Sequence, residues 1–122
     1  MRENMDAQIW IDLLAAREAM GEAGETVALL RVEQIAPFPY DLLADALAKF
    51  PNAELVWAQE EPLNAGAWAY VRPRIETVTR HECTAAPRTV RYAGRRPSAA
   101  PATGLRELHL LELDDLLNDA LR

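Results

Sequence analysis

Glu54-Leu55-Val56-Trp57-Ala58-Gln59-Glu60-Glu61-Pro62-Leu63-Asn64-Ala65-Gly66-Ala67-Trp68 is the stretch on which the fold turns. Residues 54–59 read as a short strand, since a brief apolar run bounded by turn signals fits a sheet buried on both faces. Glu60-Glu61-Pro62 ends it, and a polar turn through Asn64 and Gly66 leads into a helix over about 67–79. Pro73 inside that helix implies a kink or a late start, because proline brings no amide proton to a helix interior. A loop over 81–87 and a further strand over 88–94 follow.

Working outward, Leu42, Leu43, Ala46, Leu47 and Phe50 share one face of a helix over 40–50, which the Pro51-Asn52 turn closes. Before it, Val27-Ala28-Leu29-Leu30-Arg31-Val32-Glu33 begins as a continuous apolar run and then alternates, the pattern of a buried strand that emerges at its end. Ile9, Trp10, Leu13, Leu14 and Ala16 mark an earlier helix over 6–20, terminated by Gly21 to Gly24. Residues 95–104 are rich in proline, alanine and serine. Leu105, Leu108, Leu113, Leu116, Leu117, Ala120 and Leu121 then recur at helical spacing, with acids over much of the other face.

Helix, strand, helix, strand, helix, strand, helix is the order of an α/β domain whose strands run mostly parallel through crossovers, giving three layers, α/β/α. Such a series normally opens on a strand. This one opens on a helix, so the pattern suggests a domain truncated by its first central strand.

The chain has 122 residues, 50% hydrophobic and 26% charged, which suits one ordinary domain, residues 1–122, without internal repeats. No apolar stretch approaches the roughly twenty residues of a membrane span, and Met1-Arg2-Glu3-Asn4-Met5-Asp6 has no secretory core. A cytoplasmic protein is expected. A net charge of −6 argues against binding nucleic acid, which requires a basic surface. The single cysteine, Cys83, has no partner for an internal disulfide and no neighbouring sulfur for a structural zinc site.

In open α/β sheets, sites form at the carboxyl edge of the strands, and Glu60-Glu61 stands at such an edge. Adjacent carboxylates can raise each other's pKa, but neighbouring side chains on an extended segment diverge. That favours an ion pair across an interface for the carboxylates and a helix cap for Asn64. Gly94-Arg95-Arg96-Pro97-Ser98 through Thr103-Gly104 offers arginines, hydroxyls and a following helix, which together suit a phosphate or carboxylate. The alternative is a surface loop whose arginines pair with local acids. His81 and His109 fit no metal-ligand or triad spacing, and no Walker or GxGxxG glycine pattern is present. Trp10, Trp57 and Trp68 lie in apolar segments and are expected in the core or an interface.

Several runs, taken in order, resemble the carboxy-terminal domain of 2-oxoglutarate dehydrogenase decarboxylating components. They are Arg31-Val32-Glu33-Gln34-Ile35-Ala36-Pro37-Phe38-Pro39-Tyr40-Asp41-Leu42-Leu43, Phe50-Pro51-Asn52-Ala53-Glu54, and Val56-Trp57-Ala58-Gln59-Glu60-Glu61-Pro62 with Asn64 and Gly66-Ala67-Trp68. Arg91-Tyr92-Ala93-Gly94-Arg95, Pro97 through Gly104, and His109 before an acidic leucine-rich helix complete the set. The resemblance runs from about Ile9 to Leu121. It departs at residues 1–7, a leader outside the family pattern, where the family has a strand ending in a Cys-Ser-Gly-Lys type sequence.

The resemblance implies a transketolase C-terminal-like domain. It also implies the activity of a whole enzyme: thiamine diphosphate and Mg act on 2-oxoglutarate, carbon dioxide leaves, and a succinyl unit passes to lipoyl groups of the dihydrolipoyl succinyltransferase component. The cofactor-binding domains lie upstream in the family, so no catalytic, cofactor-binding or metal residue is expected here, and the chain alone is expected to be inactive. Its expected partners are those upstream domains and a second subunit in a homodimer, with Glu60, Glu61, Asn64 and Trp68 at an interface or near the active site. Some relatives respond to acetyl-CoA or adenine nucleotides, which makes Arg95, Arg96, Ser98 and Thr103 the candidates for an effector site. A free-standing effector-binding module is the alternative, and 2-oxoadipate stays open as a substrate.

Overall fold

Leu55–Ala58 (β1) and Val90–Ala93 (β2) run parallel, with Leu55 beside Val90, Trp57 beside Tyr92 and Ala58 beside Ala93 in a computed structural model. The structure describes residues 3–81, 86–99 and 104–122, so Cys83, Thr103 and much of the expected 81–87 loop lie outside it. Parallel neighbours cannot be joined by a hairpin. The crossover is the helix Trp68–His81, and Tyr40–Ala48 precedes β1. We label the helices α1 (Glu3–Ala19), α2 (Tyr40–Ala48), α3 (Trp68–His81) and α4 (Arg106–Leu121); a short 3-10 helix, Gly21–Thr26, follows α1.

Successive side chains on a strand point to opposite faces, and the two strands feed two separate cores. Leu55, Trp57 and Val90 join Phe38, Leu43 and Leu47 with Val71, Ile75 and Val78 of α3. On the other face Ala58 joins Ile9 and Leu13 of α1 with Leu116 and Leu121 of α4. The result is a helical layer on each side of the sheet. Val71 and Val78 are fully buried, each contributing about 1.5–3 kcal/mol by transfer from water.

Local signals account for the helix limits. Gly21 adopts φ +61° just after α1, a left-handed conformation that glycine takes without a Cβ penalty. Pro73 does not delay α3, which starts at Trp68 and runs through the proline to His81. Ala69 and Pro73 are both exposed, so the carbonyl that lacks a proline donor lies on the water side of the helix.

The expected strand over 27–33 requires correction: it belongs to no sheet, and the sheet has two strands among the described residues. Val27 is extended, with φ −108° and ψ 119°, and its amide bonds back to Gly24. Val27 and Leu29 pack on the α1/α4 core, as the apolar run implied, while Ala28 and Leu30 face out. An extended segment becomes a strand only when its backbone pairs with a neighbour, and no described segment lies in register beside it.

Candidate functional site

The carboxyl edge of the two strands is organised by Gln59, which is 3% exposed. Its backbone N–H extends the ladder to Ala93 O at 3.3 Å. Its Oε1 accepts from the Trp57 indole N–H at 2.9 Å and from the backbone N–H of Trp68 at 3.0 Å. Its Nε2 lies 2.8 Å from Ala65 O, 3.1 Å from Pro62 O and 3.3 Å from Glu61 O. A buried carboxamide must have its hydrogen bonds satisfied, and here they define the turn over 61–66. Gly66 takes φ +65° in that turn, and a Cβ there would come within 3.1 Å of Gln59 Nε2.

Tyr92 connects this turn to the loop after β2. Its hydroxyl lies 3.1 Å from Glu61 O and 2.9 Å from Arg95 O, and Leu63 N–H donates to Arg95 O. Its ring stands 5.2 Å from the Trp68 ring, and Arg72 sits over the other aromatic system at 5.6 Å. Burial raises the pKa of Tyr92 above its ordinary value of 10.0; the Glu61 charge adds to this, and Gln59 and Arg95 oppose it.

Asn64 is not a helix cap. α3 begins four residues later, and Asn64 instead makes a reciprocal pair with the Ser98 backbone: Nδ2 donates to Ser98 O and Oδ1 accepts from Ser98 N–H, both at 2.9 Å. The two edge loops are thus hydrogen-bonded to each other along their length.

The acidic pair diverges across a bend that follows β1. Glu60 lines a small cavity with Arg95, His109, Glu112, Leu113 and Leu116, whereas Glu61 lies against Gly66. Arg95 Nε is 2.8 Å from Glu112 Oε2, with the two side chains 11% and 30% exposed. Arg91, on the face towards α4, pairs with Glu54 at 2.8 Å and Asp119 at 3.0 Å. Of the expected anion-binding group, Arg95 is therefore turned to an acid of α4, Ser98 is held through its backbone, and Arg96 is exposed. Glu61, Asn64 and Trp68 lie on or beside the turn that Gln59 holds, while Glu60 faces the Arg95 cavity.

Gln59, Tyr92 and Glu112 were not singled out from sequence. A glutamine ending an apolar strand just before a proline and a glycine turn was the available signal for the first. Tyr92 and Glu112 carried none, because their partners are remote in sequence.

Among the described residues, no group of three or more His, Cys, Asp or Glu side chains could hold a metal ion, and no helix is long and apolar enough to cross a membrane. An open groove of about 370 Å³ lies away from this edge, lined by Arg17, Val27, Ala28, Leu29, Leu30, Ala46, Lys49 and Phe50.

Comparison with known proteins bears on this architecture. Residues 5–121 match the family described as 2-oxoglutarate dehydrogenase C-terminal. The chain is 47% identical over 115 residues to the mitochondrial 2-oxoglutarate dehydrogenase of Schizosaccharomyces pombe, covering 93% of this chain and 11% of that protein. It is 43% identical over 119 residues to the mitochondrial 2-oxoglutarate dehydrogenase of Saccharomyces cerevisiae, covering 97% and 12%. It is 47% identical over 114 residues to the 2-oxoglutarate dehydrogenase E1 component of Brucella anthropi, covering 93% and 11%. The chain thus spans about a tenth of the length of these relatives. With these matches over nearly its whole length, the chain belongs to the 2-oxoglutarate dehydrogenase C-terminal family.

Proposed function

We propose that this chain serves as the carboxy-terminal domain of a 2-oxoglutarate dehydrogenase decarboxylating component, acting as scaffold and dimer interface rather than as the catalytic centre. In this reading the whole enzyme decarboxylates 2-oxoglutarate oxidatively in the tricarboxylic acid cycle and passes the succinyl unit to the dihydrolipoyl succinyltransferase component. Thiamine diphosphate and Mg are bound by regions outside this chain. The reading includes a cytoplasmic location and a transketolase C-terminal-like sheet.

One observation carries the scaffold role: the apolar run Val27-Ala28-Leu29-Leu30 starts from an extended Val27, pairs with no strand among the described residues, and borders the open groove that also contains Phe50. Leu30 is 48% and Phe50 41% exposed there. A sheet that leaves an extended apolar segment unpaired has room for a further strand, whose pairing would satisfy backbone groups and cover apolar surface. The proposal assigns that strand to the polypeptide that precedes this region in the longer relatives.

The test is a thermal unfolding scan of the chain alone and with the upstream part of the enzyme supplied in trans. The expected result is a higher transition temperature in the mixture, with 2-oxoglutarate decarboxylation in the mixture and none in the chain alone. An unchanged transition would overturn the scaffold role.

A second reading, an effector-binding module, is favoured by the exposure of Arg96 on the loop after β2. Substituting Arg96 by Gln should then abolish the response of the assembled enzyme to acetyl-CoA or an adenine nucleotide while leaving basal turnover intact. A response that survives sinks this reading.

A further inference from the structure

The two halves of α4 are patterned differently. In the carboxy-terminal half, Leu116, Leu117, Ala120 and Leu121 belong to the core shared with α1, while Asp114, Asp115, Asn118 and Asp119 are exposed. Apolar residues hold one side and polar residues the other, the pattern of a helix lying on a domain surface. The amino-terminal half has no such division. Its docked side is marked by His109, Glu112 and Leu113 around the Arg95 cavity, and Leu108 shares an i,i+4 row with Glu112 and Leu116. At 3.6 residues per turn, Leu110 lies about 160° round the helix from Leu108, and Leu111 about 140° round from Leu116. Leucines thus stand on the docked side and on the sides turned from it. Leu105, at the cap of α4, is 70% exposed, Leu110 53% and Leu111 65%. A helix that is apolar all round belongs inside a protein rather than on its surface.

The outward leucines call for a second body, and size narrows its source. The chain spans 11% and 12% of the two yeast relatives, so most of such a protein lies outside it. The leucine patch is two helical turns long, about 11 Å, a fraction of the roughly 800 Å² per partner of a standard interface between separate chains. A second copy or a separate protein must recover its lost translational and rotational freedom from that patch. A segment of the same polypeptide is already held nearby, so a small apolar contact is enough to seat it.

We propose that the amino-terminal half of α4 is clamped between this domain and the polypeptide that precedes the domain in the longer relatives. That polypeptide lays an apolar surface over Leu110 and Leu111, with Leu105 at its margin. The inference rests on the reading of this chain as one domain of a longer enzyme, and it adds a second contact to the one assigned to the groove around Leu30 and Phe50. The two contacts lie on different elements, so each can be lost without the other.

The test labels four variants, Leu110→Cys, Leu111→Cys, Leu30→Cys and Asn118→Cys, with N-ethylmaleimide, each alone and with the upstream part of the enzyme supplied in trans. Mass spectrometry reads the labelling peptide by peptide, which keeps Cys83 apart, and co-elution on a sizing column reports assembly. In the mixture, labelling of Leu110→Cys and Leu111→Cys should slow at least about tenfold, as for a site that reacts only on local opening. Labelling of Asn118→Cys, on the polar side of the carboxy-terminal half, should not change. Loss of co-elution confined to Leu110→Cys and Leu111→Cys has the same meaning as their slowing. Unchanged labelling at these two positions with slowed labelling of Leu30→Cys overturns the inference and leaves the domain reading standing. No slowing at any position overturns both. Equal slowing of Asn118→Cys overturns the inference too, because the cover does not then follow the leucines. Slowing of Leu111→Cys in the chain alone, as its concentration rises, overturns it in favour of a second copy.

Discussion

Gln59 Oε1 accepts the backbone N–H of Trp68 at 3.0 Å, so the residue that ends β1 also fixes where α3 begins. The same oxygen holds the Trp57 indole, which places a strand residue and a helix start on one acceptor. Replacing Gln59 by Leu roughly keeps the volume and removes every side-chain hydrogen bond, leaving the backbone bond to Ala93 O. It leaves the indole N–H and the Trp68 amide without their acceptor in a site that is nearly closed to water. The expected loss is about 3 kcal/mol, from two or more buried groups left unsatisfied. Urea unfolding followed by tryptophan fluorescence measures it; a loss below about 1 kcal/mol would mean that water replaces the carboxamide.

The approach of the edge loops can be tested by adding one methyl group. A Cβ on Gly94 would collide with the Tyr92 hydroxyl and come within 2.9 Å of the Gln59 carbonyl. Neither atom is free to move, since Tyr92 and Gln59 are both held in the hydrogen-bonded edge. Gly94→Ala should therefore destabilise the chain by about 1–3 kcal/mol, the range for overpacking a fitted site. Gly104→Ala is the control, because among the described residues nothing lies within 4 Å of its Cβ position. Denaturation midpoints of the two variants that coincide would refute the fitted-edge account.

The parallel strand pair was legible because both runs are short, apolar and separated by a helix-length segment with its own turn signals. The helices were legible for a similar reason: their apolar spacing is a local property. The run at 27–33 carries the composition of a strand too, but strand identity depends on a neighbour, and composition cannot say whether one is present. Asn64 shows the same limit at the candidate site. Read locally it is a cap before a helix, but its partner is Ser98, 34 residues away. Arg95 was recognised as anion-seeking, and the anion it meets belongs to the side of α4 that sequence spacing identified only as acidic.

The Arg95–Glu112 pair should couple more strongly than the exposed pairs of this chain. Its side chains are 11% and 30% exposed, against 33% and 61% for Arg91–Glu54. Solvent screens the second pair and not the first to the same degree. A double-mutant cycle with Arg95→Met and Glu112→Gln should give a coupling of about 1–2 kcal/mol, and one with Arg91→Met and Glu54→Gln below about 1 kcal/mol. Adding 1 M salt should reduce the second coupling proportionally more. Equal couplings would show that the loop after β2 is not held to α4 by charge.

Tyr92 gives the fold an alkaline sensitivity whose sign follows from its burial. Desolvation raises its pKa above 10.0, so the folded chain keeps the phenol proton at a pH where the unfolded chain has begun to lose it. The native state then binds more protons than the unfolded state, and stability falls as pH rises from the unfolded pKa through the folded one. Below about pH 9 both states hold the proton, and the phenol contributes its full hydrogen bonding to the two edge loops. Tyr92→Phe removes the hydroxyl that reaches Glu61 O and Arg95 O, so it should cost about 1 kcal/mol near neutrality. The difference between wild type and Tyr92→Phe should then shrink as pH passes 10, because the variant has no proton there to lose. Unfolding free energies of both chains from pH 7 to 11 test this. A difference that stays constant across that range would show that Tyr92 titrates alike in the folded and unfolded chain.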